Sequence, residues 1–211
     1  MRFVDTDAAA IEPALRAAQQ GDVAAFNQLV HIYQRQVYNV CFRTLGHAED
    51  AADATQDAFL GAFRGLRTFR GPATGFRPWL LRVAVNACYD QLRRRQRRPT
   101  DSLDALGEAA DELGPAERLP DPTPGPEARA MGSETARQIQ EAIDRLAPEQ
   151  RMTVVLCDVQ GLNYEEAAQA LGVELGTVKS RLSRARAQLR QVLAEKELLS
   201  KSARLQQERN T

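Results

Sequence analysis

The chain contains little of the chemistry from which catalytic centres and metal sites are built. It has two histidines and three cysteines, and these are scattered through the sequence: His31, His47, Cys41, Cys88 and Cys157. It also has no Gly-rich phosphate loop, no nucleophile elbow and no cluster of paired acids. We therefore expect no catalytic activity, no cofactor and no bound metal. The cysteines lie in apolar helical contexts, which is typical of buried thiols in a reducing compartment.

The chain also lacks net charge and long apolar runs. Its 28 basic and 28 acidic side chains cancel, so the overall charge does not predict a nucleic-acid partner. Met1–Ala10 carries three charges and no apolar run follows it, which argues against a signal peptide. No stretch approaches the roughly 20 apolar residues that span a bilayer. The sequence predicts a soluble, cytoplasmic protein.

What the chain does have is an uneven distribution of charge. One basic block holds five arginines between Arg93 and Arg98, and another runs from Lys179 to Arg190. Residues 99–125, between these blocks, are acidic and rich in proline and glycine. This composition is typical of a flexible linker, and about 27 such residues have a stretched length near roughly 90 Å. The sequence therefore predicts a first domain over 1–98, a linker over 99–125, a second domain over 126–195 and a tail over 196–211.

The most informative stretch is 163–192, which predicts two helices joined by a tight turn. Asn163 is a good N-cap, and Glu166 three residues later can complete a capping box. Gly172 can adopt the left-handed conformation that ends the first helix. Apolar residues recur every three or four positions in the second helix, so they form one stripe along it. This is the pattern of a helix-turn-helix.

The second helix of this pair is basic on its polar side. At about 100° per residue, four side chains lie opposite the apolar stripe: Thr177, Ser180, Ser183 and Arg184. Lys179 and Arg181 flank them, and the sequence has no acid between Thr177 and Leu193. Such a helix fits the major groove of duplex DNA. The alternative is an amphipathic hairpin with a solvated basic face, which leaves the capping box and the turn glycine unexplained.

The first domain is predicted to be helical as well. We expect helices over Ile11–Gln20, Val23–Leu45 and Ala48–Phe69, a loop over Arg70–Arg77 and a further helix from Pro78. The helix predicted over Ala48–Phe69 has several acidic residues near its start. They either stabilise the helix through its dipole or form a docking face for a partner, and the sequence pattern leaves both interpretations open. Phe76 and Trp79 near Asn86 and the arginines suit opened nucleic acid, although Trp79 alone is more typical of a core residue.

The order of these pieces resembles that of a bacterial RNA polymerase sigma factor of the extracytoplasmic-function (ECF) group. Four segments carry the resemblance: GDVAAFNQLV, DATQDAF, FRPWLLRVAVNACYDQLRRRQRR and the stretch from Leu146 to Arg190. They are similar, in this order, to the start of the second conserved region, its polymerase-docking segment, its −10 segment and the fourth region. The resemblance implies an all-α protein of two small helical domains with a C-terminal helix-turn-helix.

The resemblance also implies roles for individual residues. The polymerase-binding candidates are Asp50, Asp53, Gln56, Asp57 and Phe59. The candidates for the opened −10 element are Gly71, Gly75, Trp79, Asn86, Arg93 and Arg94. The candidates for the −35 duplex are Thr177, Lys179, Ser180, Arg181 and Arg184. Glu174 departs from the family, which often has Ser or Thr at the cap of this helix.

The partners implied by the resemblance are the clamp helices and flap of core RNA polymerase, promoter DNA and an anti-sigma factor. Promoter DNA would be double-stranded at −35 and opened at −10. Two other functions remain open from the residues alone. One is a helix-turn-helix regulator that binds duplex DNA without polymerase. The other is an adaptor that imitates a sigma factor and sequesters a regulator.

Overall fold

The fold is known from a computed structural model that describes residues 8–97 and 136–209, with side chains described as far as residue 195. Every regular element in these ranges is helical, which confirms the all-α prediction. The predicted linker, 99–125, and the first ten residues of the predicted second domain lie outside the described residues, as does Arg98.

The first group of helices begins with α1, Ala8–Gln19, and α2, Val23–Leu45. Asp22 caps α2, because its carboxylate accepts the backbone N–H groups of Ala24 at 2.8 Å and Ala25 at 3.1 Å. The apolar stripe of α2 is buried, from Phe26 through Val37 to Cys41. This helix therefore forms the centre of the first core.

Helix α3, Ala48–Leu66, packs against α2 through small side chains. Ala51, Ala54, Ala58 and Ala62 are all fully buried on one face of it, and such a face lets neighbouring helices approach closely. Phe63 of the same helix lies at the surface. The residue is 38% exposed, and its ring packs edge-on against that of Phe26 with 5.0 Å between the ring centroids.

Helix α4, Phe76–Arg97, begins earlier than the sequence predicted. A short 3₁₀ turn, Ala73–Gly75, leads into it, so Pro78 is the third residue of the helix and not its first. Proline is tolerated there because the first four N–H groups of a helix have no partner within it.

Over residues 136–209 the second group contains four further helices, of which the first, α5, spans residues 136–144. Helix α6, Pro148–Val154, begins at a proline and continues as a π-helical segment, Val155–Val159. Helices α7, Tyr164–Leu171, and α8, Leu175–Arg209, follow. The predicted tail therefore starts as a continuation of α8.

The two groups of helices are in contact. Helix α4 packs against α7, and α2 packs against α6 and the π-helical segment. Buried apolar residues form one continuous core from Ile11 in the first group to Ala185 in the second. As a result, the basic helices α4 and α8 are brought near each other.

Candidate nucleic-acid interface

The helix-turn-helix is built as the sequence predicts. The Asn163 side chain accepts the Glu166 N–H at 2.8 Å, and the Glu166 carboxylate accepts the Asn163 N–H at 2.9 Å. These two bonds form the capping box that starts α7. Gly172 ends α7 with φ +66° and donates its N–H to the Ala168 carbonyl. Helix α8 then starts at Leu175, with the Glu174 carbonyl accepting the Thr177 N–H at 2.9 Å.

Helix α8 is fixed by its apolar stripe. Val178, Leu182 and Ala185 are buried, at no more than 2% exposure, and they seat α8 against α6 and α7. Because side chains at 3.6-residue spacing share a face, the residues opposite this stripe must point away from the core. The basic face is therefore presented outward by the fold itself.

The five −35 candidates divide into two sets. Lys179, Ser180 and Arg184 are exposed, whereas Thr177 and Arg181 are half-buried. Two of the exposed side chains are held in place by hydrogen bonds to the helix backbone. Arg184 Nε donates to the Ser180 carbonyl at 3.3 Å, and Ser180 Oγ donates to the Thr177 carbonyl at 3.0 Å. A guanidinium held along the helix surface in this way is suited to the edges of bases in the major groove.

Arg186, which follows the predicted DNA-binding residues in the sequence, forms an ion pair inside the second helix group. Its Nε and Nη2 donate to the two carboxylate oxygens of Asp158, at 3.0 Å and 2.5 Å. This bidentate pair raises the pKa of the Arg186 guanidinium. It joins α8 to the π-helical segment that precedes α7, so Arg186 positions the helix. This pair was not predictable from the sequence, because Asp158 lies 28 residues away from Arg186.

The −10 candidates lie on α4 and on the loop before it. Asn86, Arg93 and Arg94 are exposed along α4. Trp79 is half-buried and packs against Phe69 at 5.2 Å and Phe76 at 5.7 Å between ring centroids. Trp79 therefore lies between the core and the loop that precedes α4.

The two loop glycines are not equivalent. A Cβ atom added to Gly71 would lie 2.8 Å from Cζ of the Phe69 ring, whereas one added to Gly75 would meet nothing closer than 3.8 Å. Gly71 is therefore required by the close approach of the Phe69 ring. Gly75 has room for a small side chain.

A basic cleft beside this loop was missed from the sequence. It has a volume of about 390 Å³ and is lined by Arg16, Arg67, Arg70, Gln19, Gln20, Phe69 and Gly71. The Gln19 amide donates to the Phe69 carbonyl at 3.0 Å and so fixes α1 against the loop. Arg67 and Arg70 could have been suspected from their place beside the loop. Arg16 could not, because only the packing of α1 brings it there.

The polymerase-binding candidates on α3 point in two directions. Asp57 pairs with Arg94 at 3.2 Å and Asp50 with Arg95 at 3.9 Å, so these acids face α4. Phe59 is half-buried against the core. Asp53 and Gln56 face solvent.

The solvent-exposed candidates continue into an apolar patch. Leu60 and Phe63, 47% and 38% exposed, follow Asp53 and Gln56 at helical spacing. Asp53, Gln56, Leu60 and Phe63 together form what we call the α3 stripe. This apolar patch was not predicted from the sequence.

The described residues offer little for catalysis or metal binding. They contain no group of three or more His, Cys, Asp or Glu side chains able to hold a metal ion. The three cysteines are free and buried, as expected, and burial raises the pKa of Cys157 to about 11. Within the described ranges no helix is both long and apolar enough to cross a bilayer.

Comparison with known proteins identifies similar chains. Residues 29–98 match Sigma-70 region 2, and residues 136–189 match Sigma-70 region 4. The ECF RNA polymerase sigma factor SigE of Mycolicibacterium smegmatis is 41% identical over 177 residues, which is 82% of this chain and 65% of SigE. The ECF sigma factor SigM of Mycobacterium tuberculosis is 41% identical over 179 residues, 85% of this chain and 82% of SigM. Among solved structures, CnrH in complex with the cytosolic domain of CnrY has a TM-score of 0.60 and 27% identity, covering 86% of this chain and 96% of CnrH.

Proposed function

Because the chain belongs to the extracytoplasmic-function group of bacterial RNA polymerase sigma factors, we propose that its two helix groups divide promoter recognition between them. The chain binds core RNA polymerase and directs promoter-specific initiation of transcription. Residues 1–98 act as region 2 and residues 126–195 as region 4, joined by the linker 99–125.

The second group reads the −35 element through α8. The observation that carries this assignment is the outward basic face on a helix whose opposite side is buried. Lys179, Ser180 and Arg184 are exposed on it, and in the major groove an Arg or Lys side chain recognises guanine O6 and N7. Thr177 and Arg181, which are half-buried, lie beside these residues and contribute further contacts to the duplex.

The first group holds the opened −10 element. Asn86 presents an amide from α4, and amides hydrogen-bond to the edges of unpaired bases. Arg93 and Arg94 bind phosphates next to it. The loop that contains Gly71 and Gly75 receives an unstacked base, and Trp79 supports that loop from the core side.

The α3 stripe docks on the polymerase clamp helices. Leu60 and Phe63 form an exposed apolar surface beside the polar Asp53 and Gln56, and partly apolar patches of this kind mark protein–protein contacts. Asp50 and Asp57 lie behind the stripe, against the arginines of α4. Phe59 supports it from the core.

The energetics require a large partner. Opening about ten base pairs costs on the order of 14 kcal/mol at about 1.4 kcal/mol per step. A small module gains only about 4–10 kcal/mol from specific over non-specific DNA binding. The chain alone therefore does not melt a promoter, and polymerase supplies the further contacts.

The remaining assignments follow from membership of the family. The protein works in the cytoplasm with polymerase, has no catalytic activity of its own and is held inactive by an anti-sigma factor. A similar structure, that of CnrH, contains the cytosolic domain of CnrY as a bound partner, which supports the idea of a protein partner for this chain.

The test is run-off transcription with purified core polymerase on fragments of the host genome, followed by sequencing of the transcripts. We expect transcripts that start downstream of shared −35 and −10 sequences. Duplex binding without capture of core polymerase would instead identify a helix-turn-helix regulator. Capture of core without any promoter-specific transcript would identify an adaptor.

A further inference from the structure

Two separate parts of the chain form the basic cleft beside the loop after α3. Arg16 lies in the last turn of α1, whereas Arg67 and Arg70 follow the end of α3. The Gln19 amide of α1 donates to the Phe69 carbonyl at 3.0 Å, and α1 also packs against the 3₁₀ turn that precedes α4. These contacts hold the two parts together, so the fold itself brings the three arginines to one place.

The cleft is strongly positive. The described residues that line it carry three guanidinium groups and no carboxylate. Arg16 pairs with Glu12 on its own helix, but the two side chains are 73% and 46% exposed, and exposed pairs of this kind are weak. In the described part of the chain no acid pairs with Arg67 or Arg70. An anion that enters the cleft therefore meets cations that other groups neutralise little.

The cleft suits the backbone of a nucleic-acid strand better than a small ligand. Sites for small molecules bury most of the surface of the ligand. Here all three arginines are exposed, and among the described residues of the lining only Phe69 is buried. Open basic grooves of this kind follow the phosphates of single strands, and a guanidinium can form two parallel hydrogen bonds with one phosphate.

The cleft also continues a line of DNA-binding candidates along α4. Arg93, Asn86 and Trp79 are spaced by seven residues, so they lie on one face of the helix at steps of about 11 Å. The Trp79 ring packs against that of Phe69 at 5.2 Å between centroids. Both Phe69 and Gly71, which belongs to the candidate −10 loop, line the cleft. A strand that passes from Arg93 over Asn86 to this loop therefore reaches the cleft next.

We propose that Arg16, Arg67 and Arg70 bind phosphates of the opened strand beyond the base that the loop receives. The cleft and the arginines of α4 then hold the strand on both sides of that base. Phosphate contacts fix the register of a strand without reading its sequence, so the cleft positions the base for the loop. The cleft itself is independent of function, but DNA as its occupant rests on the function proposed above.

Removal of charge from the cleft provides the test. Arg67→Gln with Arg70→Gln removes two cations and keeps polar side chains, whereas Arg67→Lys with Arg70→Lys keeps both charges. Arg35→Gln is the matched control, because Arg35 is an exposed arginine of α2 that does not line the cleft. All of these positions are exposed, so the substitutions leave the core unchanged.

Each full-length variant is assembled with core polymerase. Fluorescence anisotropy then gives the affinity of the complex for a single strand that carries the −10 sequence recovered from the run-off transcripts and extends several nucleotides beyond it on both sides. In a second series of strands, a neutral methylphosphonate replaces one phosphate at a time. This series identifies the phosphates that each variant contacts.

We expect the glutamine pair to bind about 25-fold more weakly at 0.1 M salt and equally well at 1 M salt, because two lost phosphate contacts lower the salt slope by about 1.4. Methylphosphonates at neighbouring positions on one side of the −10 sequence should weaken binding of the wild type and leave binding of the glutamine pair unchanged. The lysine pair should keep the salt slope of the wild type, and Arg35→Gln should match the wild type in both series.

Equal affinities and equal methylphosphonate profiles in the glutamine pair and the wild type would overturn the proposal. A similar loss in the glutamine pair and in Arg35→Gln would show a general charge effect and would also overturn it. If the glutamine pair captures less core polymerase but its complex holds the strand normally, the cleft binds polymerase and not DNA. If the wild-type complex does not bind the strand at all, the proposed −10 function fails, and the proposal for the cleft fails with it.

Discussion

Helices α4 and α8 both carry basic surfaces, but the acids around them are placed differently. On α4, Arg93 pairs with Asp90 at 3.5 Å and Arg94 pairs with Asp57 at 3.2 Å. On α8, the ion pair is made by Arg186, on the flank of the helix. Among the described residues no acid pairs with Lys179 or Arg184.

This difference indicates that the arginines of α4 and the basic residues of α8 contact DNA in different ways. Phosphates that approach α4 must displace carboxylates from the arginines, whereas DNA that approaches the exposed face of α8 meets unpaired cations. We infer that α8 provides the first, sequence-reading contact and that α4 engages only when further contacts hold the opened strand nearby. The variants below test each half of this comparison.

The largest effect is expected from Gly172→Val, which removes the support of α8 and leaves α4 intact. Gly172 has φ +66°, and a β-branched residue is strained there by about 2 kcal/mol or more. We expect loss of −35 binding and a lower free energy of unfolding, measured by urea denaturation. Gly176→Ala is the control, because its Cβ would meet nothing within 4 Å and its φ is not positive. Equal stability of the two variants would contradict the role of Gly172 in the turn.

Arg184→Ala tests the sequence-reading face of α8. We expect a loss of about 1–3 kcal/mol in −35 binding and a relaxed preference at one base position, because a base-edge contact is removed. Competition binding with duplexes that vary one position at a time measures both. The control, Arg190→Ala, should weaken binding to all sequences equally and lower the salt dependence. An unchanged base preference in Arg184→Ala would remove this residue from the recognition face.

Asp158→Asn tests the positioning of α8. It should weaken −35 binding about threefold, because the pair with Arg186 is half-exposed and such pairs contribute at most about 1 kcal/mol. The slope of affinity against salt should stay unchanged, since no phosphate contact is lost. Tighter binding with a steeper slope would show instead that Arg186 is a phosphate ligand that Asp158 competes for.

Asp57→Asn should have the smallest effect, and this effect concerns the binding of single-stranded DNA by α4. Freed from its carboxylate, Arg94 should bind a single-stranded oligonucleotide of the −10 sequence about twofold more tightly, since exposed pairs of this kind are weak. Asp53→Asn is the matched control, because it removes the same charge from α3 at a position that pairs with no described arginine. An equal gain from both variants would indicate a general charge effect and not release of Arg94.

Much of this arrangement could be predicted from local patterns. Helix α2 spans the residues that its apolar periodicity indicated, and the capping box and positive φ of Gly172 occur where the sequence predicted them. Each of these features depends on residues within one or two helical turns. The exposed face of α8 was predictable for the same reason, since one helix determines which of its side chains lie opposite the buried stripe.

Features that depend on packing between distant elements were not predictable. Thr177 and Arg181 belong to the predicted DNA face, but the packing of α8 leaves both of them half-buried. Arg16 reaches the loop after α3 only through the packing of α1. The early start of α4 at Phe76 was missed because proline fits several positions of a first turn equally well.

Helix α8 is proposed to hold the −35 duplex while α4 holds the opened −10 strand. Permanganate footprinting of promoter complexes formed with core polymerase tests it most directly, with Asn86→Ala and, as a control on the same helix, Gln96→Ala. Asn86→Ala should lose thymine reactivity at −10 while protection of the −35 duplex is retained, and Gln96→Ala should match the wild type. Full −10 reactivity in Asn86→Ala, or loss of −35 protection together with it, would contradict this division between the two helices.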